Sequence, residues 1–301
     1  MISNMVNYNH LKGTGVALIT PFNKEKQIDY PALAKLIEHC ISGGVESLIS
    51  MGTTGESVTL TKEEKAELLA FTIKQTAGRA QIVVGIGGNN TQEVADEMEA
   101  LDPTGITAIL SSSPAYNKPS QEGIYQHYMA LEKVAKLPII IYNVPGRTAS
   151  NLTAETTLRL AHASTKFAAV KEASGDLVQA TKIIKDRPDH FLVLSGDDPL
   201  ALALVGIGGD GVISVIGNAY PKEFSQMIQY ALKGDFKSAQ KLNNALFDLH
   251  KWLYIDGNPS GIKAACHLLE ICENEFRLPL VPMAEAHFKK LKEAMEAIKW
   301  D

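Results

Sequence analysis

The sequence predicts an α/β protein built as a (β/α)8 TIM barrel and followed by a small C-terminal helical domain. About eight short apolar runs recur along the chain without strict alternation, as expected for parallel strands buried on both faces. Amphipathic segments lie between them and complete β-then-α units. Eight such units fit a closed barrel better than an open doubly wound sheet, which usually has fewer strands. The predicted strands are GVALIT (15–20), ESLIS (46–50), QIVVGI (81–86), ITAILS (106–111), PIIIY (138–142), FAAVK (167–171), FLVLS (191–195) and GVISV (211–215).

Several helix starts are marked by capping residues. Asp29 is a candidate N-cap, and Pro31 falls in the first turn, where its missing N–H leaves no bond unmade. Thr61 and Glu64 have the spacing of a capping box, in which each side chain accepts from the other residue's backbone N–H. Two further helices are predicted over residues 152–163 and 221–234.

The pattern changes after Gly234, because no convincing strand follows. Leucines recur at spacings of four, three and four, as on one face of a helix, at positions 242, 246, 249 and 253. Two more helical stretches are predicted over 262–272 and 282–298. We therefore predict a catalytic barrel over residues 1–235 and a helical domain over residues 236–301. The apolar stripe of that domain packs either on the barrel or on a neighbouring subunit.

Composition and charge exclude several classes of protein. Lys and Arg number 29 against 34 Asp and Glu, and the net charge of −5 argues against a nucleic-acid surface. Three cysteines without a C-x-x-C pair argue against a disulfide scaffold or a thiolate zinc site. The chain shows no secretory signal pattern and no apolar stretch long enough to cross a bilayer. We expect a soluble cytoplasmic protein with no nucleic-acid or membrane partner.

TIM-barrel active sites form at the carboxyl ends of the strands, so the residues that directly follow each predicted strand are the candidate functional residues. The segments found there are GTTGES (52–57), SPAYN (113–117), YNVPGRT (142–148), KEASGD (171–176) and SGDD (195–198). The glycines at 85–88 lack the spacing of a dinucleotide fingerprint, and no P-loop motif occurs. The eight histidines form no metal-binding pair. No cofactor and no metal is expected.

Lys171 closes the run FAAV, which places its amine at the barrel mouth or inside the barrel. Burying an unpaired ammonium is costly, and desolvation favours the neutral amine, which can attack a carbonyl carbon. Position alone equally allows an exposed lysine paired with Glu172 or Asp176. Tyr142 ends the preceding strand, where a phenol can pass a proton near a Schiff base or simply lie at the rim in water.

Two segments are candidates for binding an anion. GTTG offers backbone N–H groups and the hydroxyls of Thr53 and Thr54, which suits a carboxylate or a phosphate. Two glycines also make a plain turn. Arg147 follows Pro145 and Gly146 in a loop, and it is either a fork for a carboxylate or an ordinary exposed arginine.

The strand-end motifs also occur together in one order. GTTGES, SSSPAYNKPSQEG, YNVPGRT, VKEASGD, LSGDD and GDGVISV resemble the pyruvate-dependent, Schiff-base class I aldolase superfamily. The resemblance is closest to its 4-hydroxy-tetrahydrodipicolinate synthase (dihydrodipicolinate synthase) family, strongly over about residues 12–233 and more loosely in the tail around Asn258. It implies a lyase of lysine and diaminopimelate biosynthesis. Such an enzyme condenses pyruvate with L-aspartate 4-semialdehyde through a Schiff base, with no metal or cofactor.

The resemblance implies four catalytic residues. Lys171 is similar to the lysine that condenses with pyruvate, and Tyr142 to the tyrosine that shuttles protons. Thr53 and Tyr116 correspond to the residues that complete the proton relay. In the family this last tyrosine reaches into the adjacent subunit of a dimer of dimers, so the resemblance implies a homotetramer.

The resemblance also implies four substrate-binding residues. Thr54 corresponds to the residue that binds the pyruvate carboxylate, and Ile213 offers its backbone carbonyl nearby. Arg147 resembles the arginine that holds the carboxylate of the aldehyde substrate. Gly196 corresponds to a residue that lines the same pocket.

Two alternatives stay open at the sequence level. The first is N-acetylneuraminate lyase, or another pyruvate-dependent sugar-acid aldolase, which shares the lysine, the tyrosine and an anion-binding segment similar to GTTG. Arg147 and Glu172 favour the synthase, since proteins of one fold diverge mainly in their loops. A non-catalytic barrel scaffold would tolerate the loss of Lys171 or Tyr142, yet both residues are present.

One departure concerns regulation. Lysine-inhibited synthases typically carry histidine and tyrosine around an allosteric site at the subunit interface. Cations there would repel the ammonium of a bound lysine, and a missing tyrosine removes a stacking surface. We therefore expect weak or absent inhibition by L-lysine. The residues that differ from the lysine-inhibited pattern are Val58, Lys62, Lys65 and Ala115, and those that match it in part are Asn89 and Glu93.

Overall fold

The computed structural model describes residues 6–300. Eight parallel strands follow one another in chain order around a closed barrel, and the predicted (β/α)8 TIM barrel is thereby confirmed. Strands β1, β2, β6, β7 and β8 are buried at every position, as expected for parallel strands that are covered on both faces. The strands are β1 Gly13–Ala17, β2 Ser47–Ser50, β3 Gln81–Gly85, β4 Ala108–Ser112, β5 Ile139–Asn143, β6 Phe167–Glu172, β7 Leu192–Ser195 and β8 Gly211–Ser214.

Helices connect the strands and also form the C-terminal part of the chain. Within residues 6–300, no helix combines the length and the apolar character needed to span a bilayer. The helices are α1 Tyr30–Ser42, α2 Lys62–Thr76, α3 Thr91–Ala100, α4 Gln121–Val134, α5 Pro145–Thr148, α6 Ala154–Ala163, α7 Leu177–Asp186, α8 Ala201–Gly206, α9 Pro221–Leu232, α10 Phe236–Tyr254, α11 Ser260–Leu268 and α12 Glu285–Glu296.

The capping residues act as the sequence predicts. The carboxylate of Asp29 accepts a hydrogen bond from the N–H of Ala32 at 3.0 Å and caps α1. Thr61 and Glu64 form the reciprocal capping box at the start of α2. These bonds satisfy N–H groups that have no partner inside the first turn of a helix.

The described chain forms two compact units. One runs up to Lys12 and from Gln81 to Ile213, and within it β3 to β8 pair in sequence. The other contains Gly13–Ala80 and continues from Ser214 through the C-terminal helices. The boundary predicted between residues 235 and 236 falls inside this second unit, and the division into a barrel and a helical domain stays a prediction.

The last two helices are shorter than predicted. α11 ends at Leu268 rather than at residue 272, and α12 covers Glu285–Glu296 within the predicted 282–298. Glu270 has a φ of 59°, a left-handed conformation that a continuing α-helix excludes. Ile271 and Cys272 are nevertheless buried, so the apolar residues continue beyond the end of the helix.

Candidate active site

The ends of β5 and β6 place predicted site residues side by side. In the ladder between these strands, Tyr142 pairs with Lys171, and Asn143 pairs with Glu172. Because successive side chains of a strand point to opposite faces, Tyr142 and Lys171 share one face, whereas Asn143 and Glu172 share the other.

Lys171 is buried, with 5% of its surface exposed. Its Nζ atom lies 4.3 Å from the centroid of the Tyr142 ring, within the range of cation–π contacts. Tyr142 is half-buried. The geometry therefore disagrees with an exposed strand-end lysine. It brings an amine and a phenol into one small region, and these are the two groups that Schiff-base chemistry uses.

Gly196, which follows β7, leaves room for the lysine side chain. A Cβ atom at position 196 would lie 3.1 Å from both Cγ and Cε of Lys171 and 2.6 Å from Cβ of Ala173. Real Cβ atoms essentially never approach another atom more closely than 3.0 Å. The close approach of β6 thus requires a residue without a side chain at this position.

Glu172 is held on the opposite face of β6 by amide groups. Its carboxylate accepts from Nδ2 of Asn143 at 3.0 and 3.1 Å and from Nε2 of Gln179 at 3.0 Å. The N–H of Ser174 donates to it at 2.7 Å. Asn151 completes the network, since it accepts from Asn143 at 2.9 Å and donates to Gln179 at 2.9 Å. These bonds fix the end of β6 and therefore the backbone of the neighbouring lysine.

Tyr116 and Arg147 lie in the segments that follow β4 and β5. The N–H of Tyr116 donates to the carbonyl of Thr148 at 3.3 Å, which joins the two segments. Tyr116 has a φ of 66°, which is unfavourable for a residue with a Cβ, and 89% of its surface is exposed in the single chain. Arg147 lies in the four-residue helix α5 and is also exposed.

The GTTGES loop follows β2 in the other compact unit. It makes a short 3-10 turn over Thr53–Gly55, and Glu56 then takes a left-handed φ of 53°. The N–H groups of Gly55 and Glu56 donate to carbonyls within the loop at 3.1 Å, so these two groups are not available to an anion. Thr53 is exposed, whereas Thr54 is buried and its hydroxyl accepts from Nδ2 of Asn258 at 2.9 Å.

The structure thus clusters some of the predicted site residues and reveals others. The amides around Glu172 were not predicted from the sequence, although Asn143 directly follows a strand-end tyrosine. Asn258 and Lys263 were not predicted as site residues either, because nothing in the local sequence links them to the GTTGES loop. The predicted residues are found in four settings: Lys171 close to both Tyr142 and Gly196, Tyr116 and Arg147 exposed after β4 and β5, Ile213 buried in β8, and Thr53 and Thr54 in the other unit.

A family model described as the dihydrodipicolinate synthetase family matches residues 10–298. The chain belongs to the dihydrodipicolinate synthetase family. The resemblance drawn from the strand-end motifs is therefore confirmed. Membership also explains why the motifs occur in one fixed order at successive strand ends.

Individual members of the dihydrodipicolinate synthetase family are similar along almost the whole chain. The 4-hydroxy-tetrahydrodipicolinate synthase of Parabacteroides distasonis is 47% identical over 289 residues, which cover 96% of this chain and 97% of the relative. The chloride-inhibited dihydrodipicolinate synthase of Acinetobacter baumannii, solved in complex with pyruvate, is 38% identical with a TM-score of 0.92, and the match covers 95% of this chain and 98% of that chain.

A third similar protein is a solved dihydrodipicolinate synthase variant described as the first monomeric one. It is 34% identical with a TM-score of 0.93, and the match covers 95% of this chain and 96% of that chain. These relatives carry the synthase name, which favours the synthase over the lyase and scaffold alternatives.

Proposed function

We propose that this chain condenses pyruvate with L-aspartate 4-semialdehyde to give 4-hydroxy-tetrahydrodipicolinate, a step of lysine and diaminopimelate biosynthesis. The similar enzymes carry the corresponding name. The observation that supports the proposal most directly is the buried Lys171 with its amine 4.3 Å from the Tyr142 ring. The reaction needs no metal or cofactor, because the lysine itself activates the first substrate.

The first step forms a Schiff base. The neutral Nζ of Lys171 attacks C2 of pyruvate, and the carbonyl oxygen leaves as water, so that a carbon–nitrogen iminium bond replaces the carbonyl. Tyr142 passes the proton lost by the nitrogen to the carbonyl oxygen and then gives that oxygen a second proton, its own, so that water is the leaving group. Thr53 and Tyr116 complete the path along which the phenol regains its proton.

The second step forms the carbon–carbon bond. The iminium withdraws electrons, so the former pyruvate methyl group loses a proton and an enamine results. The enamine carbon attacks the aldehyde carbon, and the aldehyde oxygen takes up a proton to become a hydroxyl group. The amino group of the condensed chain then attacks the iminium carbon and displaces Lys171 as a free amine. This cyclisation closes the product ring and regenerates the enzyme.

The remaining site residues orient the substrates. Thr54 donates its hydroxyl hydrogen to the pyruvate carboxylate, and the carbonyl of Ile213 lies near the bound substrate. Arg147 holds the carboxylate of the aldehyde with its planar fork of donors. Gly196 lines the pocket because no side chain fills the space beside the lysine.

The assembly proposed is a cytoplasmic homotetramer, a dimer of dimers. The exposure of Tyr116 and its unfavourable backbone conformation support a role for this residue in a neighbouring subunit. A monomeric variant exists among the similar structures, so assembly is a separate question from fold. Light scattering at several chain concentrations tests it, and a monomer with full activity would contradict the proposed sharing of Tyr116.

The test of the chemistry is covalent capture. Incubation with pyruvate followed by borohydride reduction should attach the three-carbon acid to one peptide, the one that contains Lys171. Turnover should then occur with L-aspartate 4-semialdehyde and not with N-acetylneuraminate. Capture at another residue, or no capture, would contradict the Schiff-base mechanism. Capture with turnover of the sugar acid alone would instead support the lyase.

A further inference from the structure

The C-terminal segment contacts the GTTGES loop at a residue proposed to bind substrate. Nδ2 of Asn258 donates to the hydroxyl oxygen of Thr54 at 2.9 Å, across 204 positions of the sequence. Asn258 directly precedes Pro259, the N-cap of α11. Thr54 is buried, so this amide is part of the fixed surroundings of its hydroxyl group.

The same helix is anchored to the same loop by a second contact. Lys263 of α11 forms an ion pair with Glu56, and both side chains are fully buried. The Lys263 ammonium also donates to the carbonyl of Glu275 at 2.8 Å and lies 4.5 Å from the ring centroids of Phe22 and Phe276. Since separating a buried ion pair leaves an uncompensated buried charge, α11 and the loop are held in one arrangement.

The direction of the Asn258 bond determines what the hydroxyl of Thr54 can still do. A hydroxyl group has one hydrogen to donate and two lone pairs that accept. The amide hydrogen of Asn258 occupies a lone pair, so the hydroxyl hydrogen stays available for another acceptor. An acceptor in place of the amide would instead attract that hydrogen and withdraw it from any bound anion.

We propose that Asn258 is a positioning residue that keeps the Thr54 hydroxyl a donor towards the carboxylate of the 2-oxo acid substrate. This inference rests on the proposed function, because it assumes that Thr54 faces that carboxylate. The Lys263–Glu56 ion pair holds the C-terminal segment where Asn258 can make the contact. The C-terminal segment therefore contributes to substrate binding without itself touching the reacting atoms.

The test compares two substitutions of Asn258. Asn258→Asp has nearly the same shape, but its carboxylate only accepts, so it captures the Thr54 hydrogen. We expect the KM for pyruvate to rise about 10-fold to 100-fold, the loss that follows removal of one hydrogen bond to a charged group. Asn258→Ala leaves the hydrogen free and should raise KM only about threefold. In both variants kcat and the KM for the aldehyde should change less than about threefold.

A double-mutant cycle separates this route from direct charge repulsion. Thr54→Val removes the hydroxyl and keeps the shape, so Asn258→Asp should have little further effect in that background. The exposed Asn244→Asp in α10 adds the same charge elsewhere in the segment and should leave KM unchanged. If Asn258→Asp does not fold, Asn258→Ala still tests the contact: its roughly threefold rise in KM should vanish in the Thr54→Val background, and a rise that persists there would overturn the role.

The outcomes also distinguish this inference from the proposed function. If the parent protein does not trap pyruvate, the proposed function fails. If it traps pyruvate at Lys171 but Asn258→Asp binds pyruvate as well as the parent, only the role of Asn258 is overturned. The role of Asn258 would also be overturned if Asn258→Asp and Asn258→Ala raised the KM for pyruvate equally, or if the effect of Asn258→Asp persisted in the Thr54→Val background. A lowered kcat with an unchanged KM would overturn it as well.

Discussion

The Nζ atom of Lys171 lies 4.3 Å from the centroid of the Tyr142 ring, at the ends of two strands that pair directly. The ring face of Tyr142 lies against the amine of Lys171, and the same ring carries the phenol proposed to move protons. The contact with the lysine and the proposed proton transfer therefore depend on one side chain. A substitution that removes the hydroxyl and keeps the ring separates the two.

Tyr142→Phe should slow borohydride trapping and turnover about 100-fold, the usual contribution of a positioned acid or base. Trapping should still occur, because the attacking amine remains, whereas Lys171→Ala should abolish it. Tyr125→Phe, in α4, is the matched control and should behave as the parent. Trapping by Tyr142→Phe at the parental rate would contradict the proton-transfer role.

Gly196→Ala should lower kcat/KM about 10-fold to 100-fold, because small displacements of a reacting group cost this much. The added Cβ would lie 2.6 Å from Ala173 and 3.1 Å from two carbons of Lys171, so the lysine side chain must move. We also expect a loss of stability of about 1–3 kcal/mol from overpacking. Both quantities are measured by steady-state kinetics and by urea unfolding.

A second substitution shows which contact matters in Gly196→Ala. Adding Ala173→Gly removes the 2.6 Å contact and leaves the contacts with Lys171. The double variant should therefore regain stability more than activity. Full recovery of kcat/KM would show that crowding of Ala173, and not of the lysine, causes the loss.

The protein should lose stability as the pH falls from about 6.5 towards about 4 because of His127. Burial lowers the pKa of His127 to about 4, and its Nδ1 lies 2.9 Å from the hydroxyl of Thr91. Its pKa in an unfolded chain is about 6.5. The unfolded state therefore binds more protons in this range. This group alone should lower the free energy of unfolding by about 1 kcal/mol between about pH 7.5 and pH 5.5.

The measurement is the urea unfolding midpoint at both pH values and one chain concentration. His127→Gln should reduce the pH dependence by the expected amount, since glutamine does not titrate. His10→Gln is the control, because it makes the same exchange at an exposed position. An identical pH dependence in parent and His127→Gln would contradict the assignment.

L-lysine should inhibit weakly or not at all. Lys62 and Lys65 begin α2, and Val58 before them has 91% of its surface exposed. Cations repel the ammonium of the ligand, and a valine cannot supply the missing hydrogen bonds. Initial rates at increasing L-lysine test this expectation. An inhibition constant below the millimolar range would contradict it, and the paired variants Lys62→Ala and Lys65→Ala should increase inhibition if charge is the cause.

Much of the fold could be predicted because buried strands require apolar residues, and these are visible as runs in the sequence. Each of the eight apolar runs overlaps one strand of the barrel. The bounds were less predictable, since hydrogen bonding and not hydrophobicity defines a strand. β1 begins at Gly13, two residues before the predicted run, because a small residue and a threonine join the ladder without adding to the apolar pattern.

The site was predictable in part for a different reason. Lys171 and Tyr142 stand out because a charged and a phenolic residue interrupt aliphatic runs at strand ends. The amides of Asn143, Gln179 and Asn258 do not stand out, because polar residues near strand ends and loops are common. Their function depends on contacts that form only in the folded chain, and one sequence without its structure does not reveal these contacts.

The bond between Thr54 and Asn258 joins positions 204 residues apart. Contacts of such separation close late, since a long loop must be ordered first. A chain still leaving the ribosome carries Lys171 and Tyr142 well before residue 258 has been added. The growing polypeptide therefore cannot present the finished hydroxyl geometry to a metabolite until nearly all of it has been synthesised.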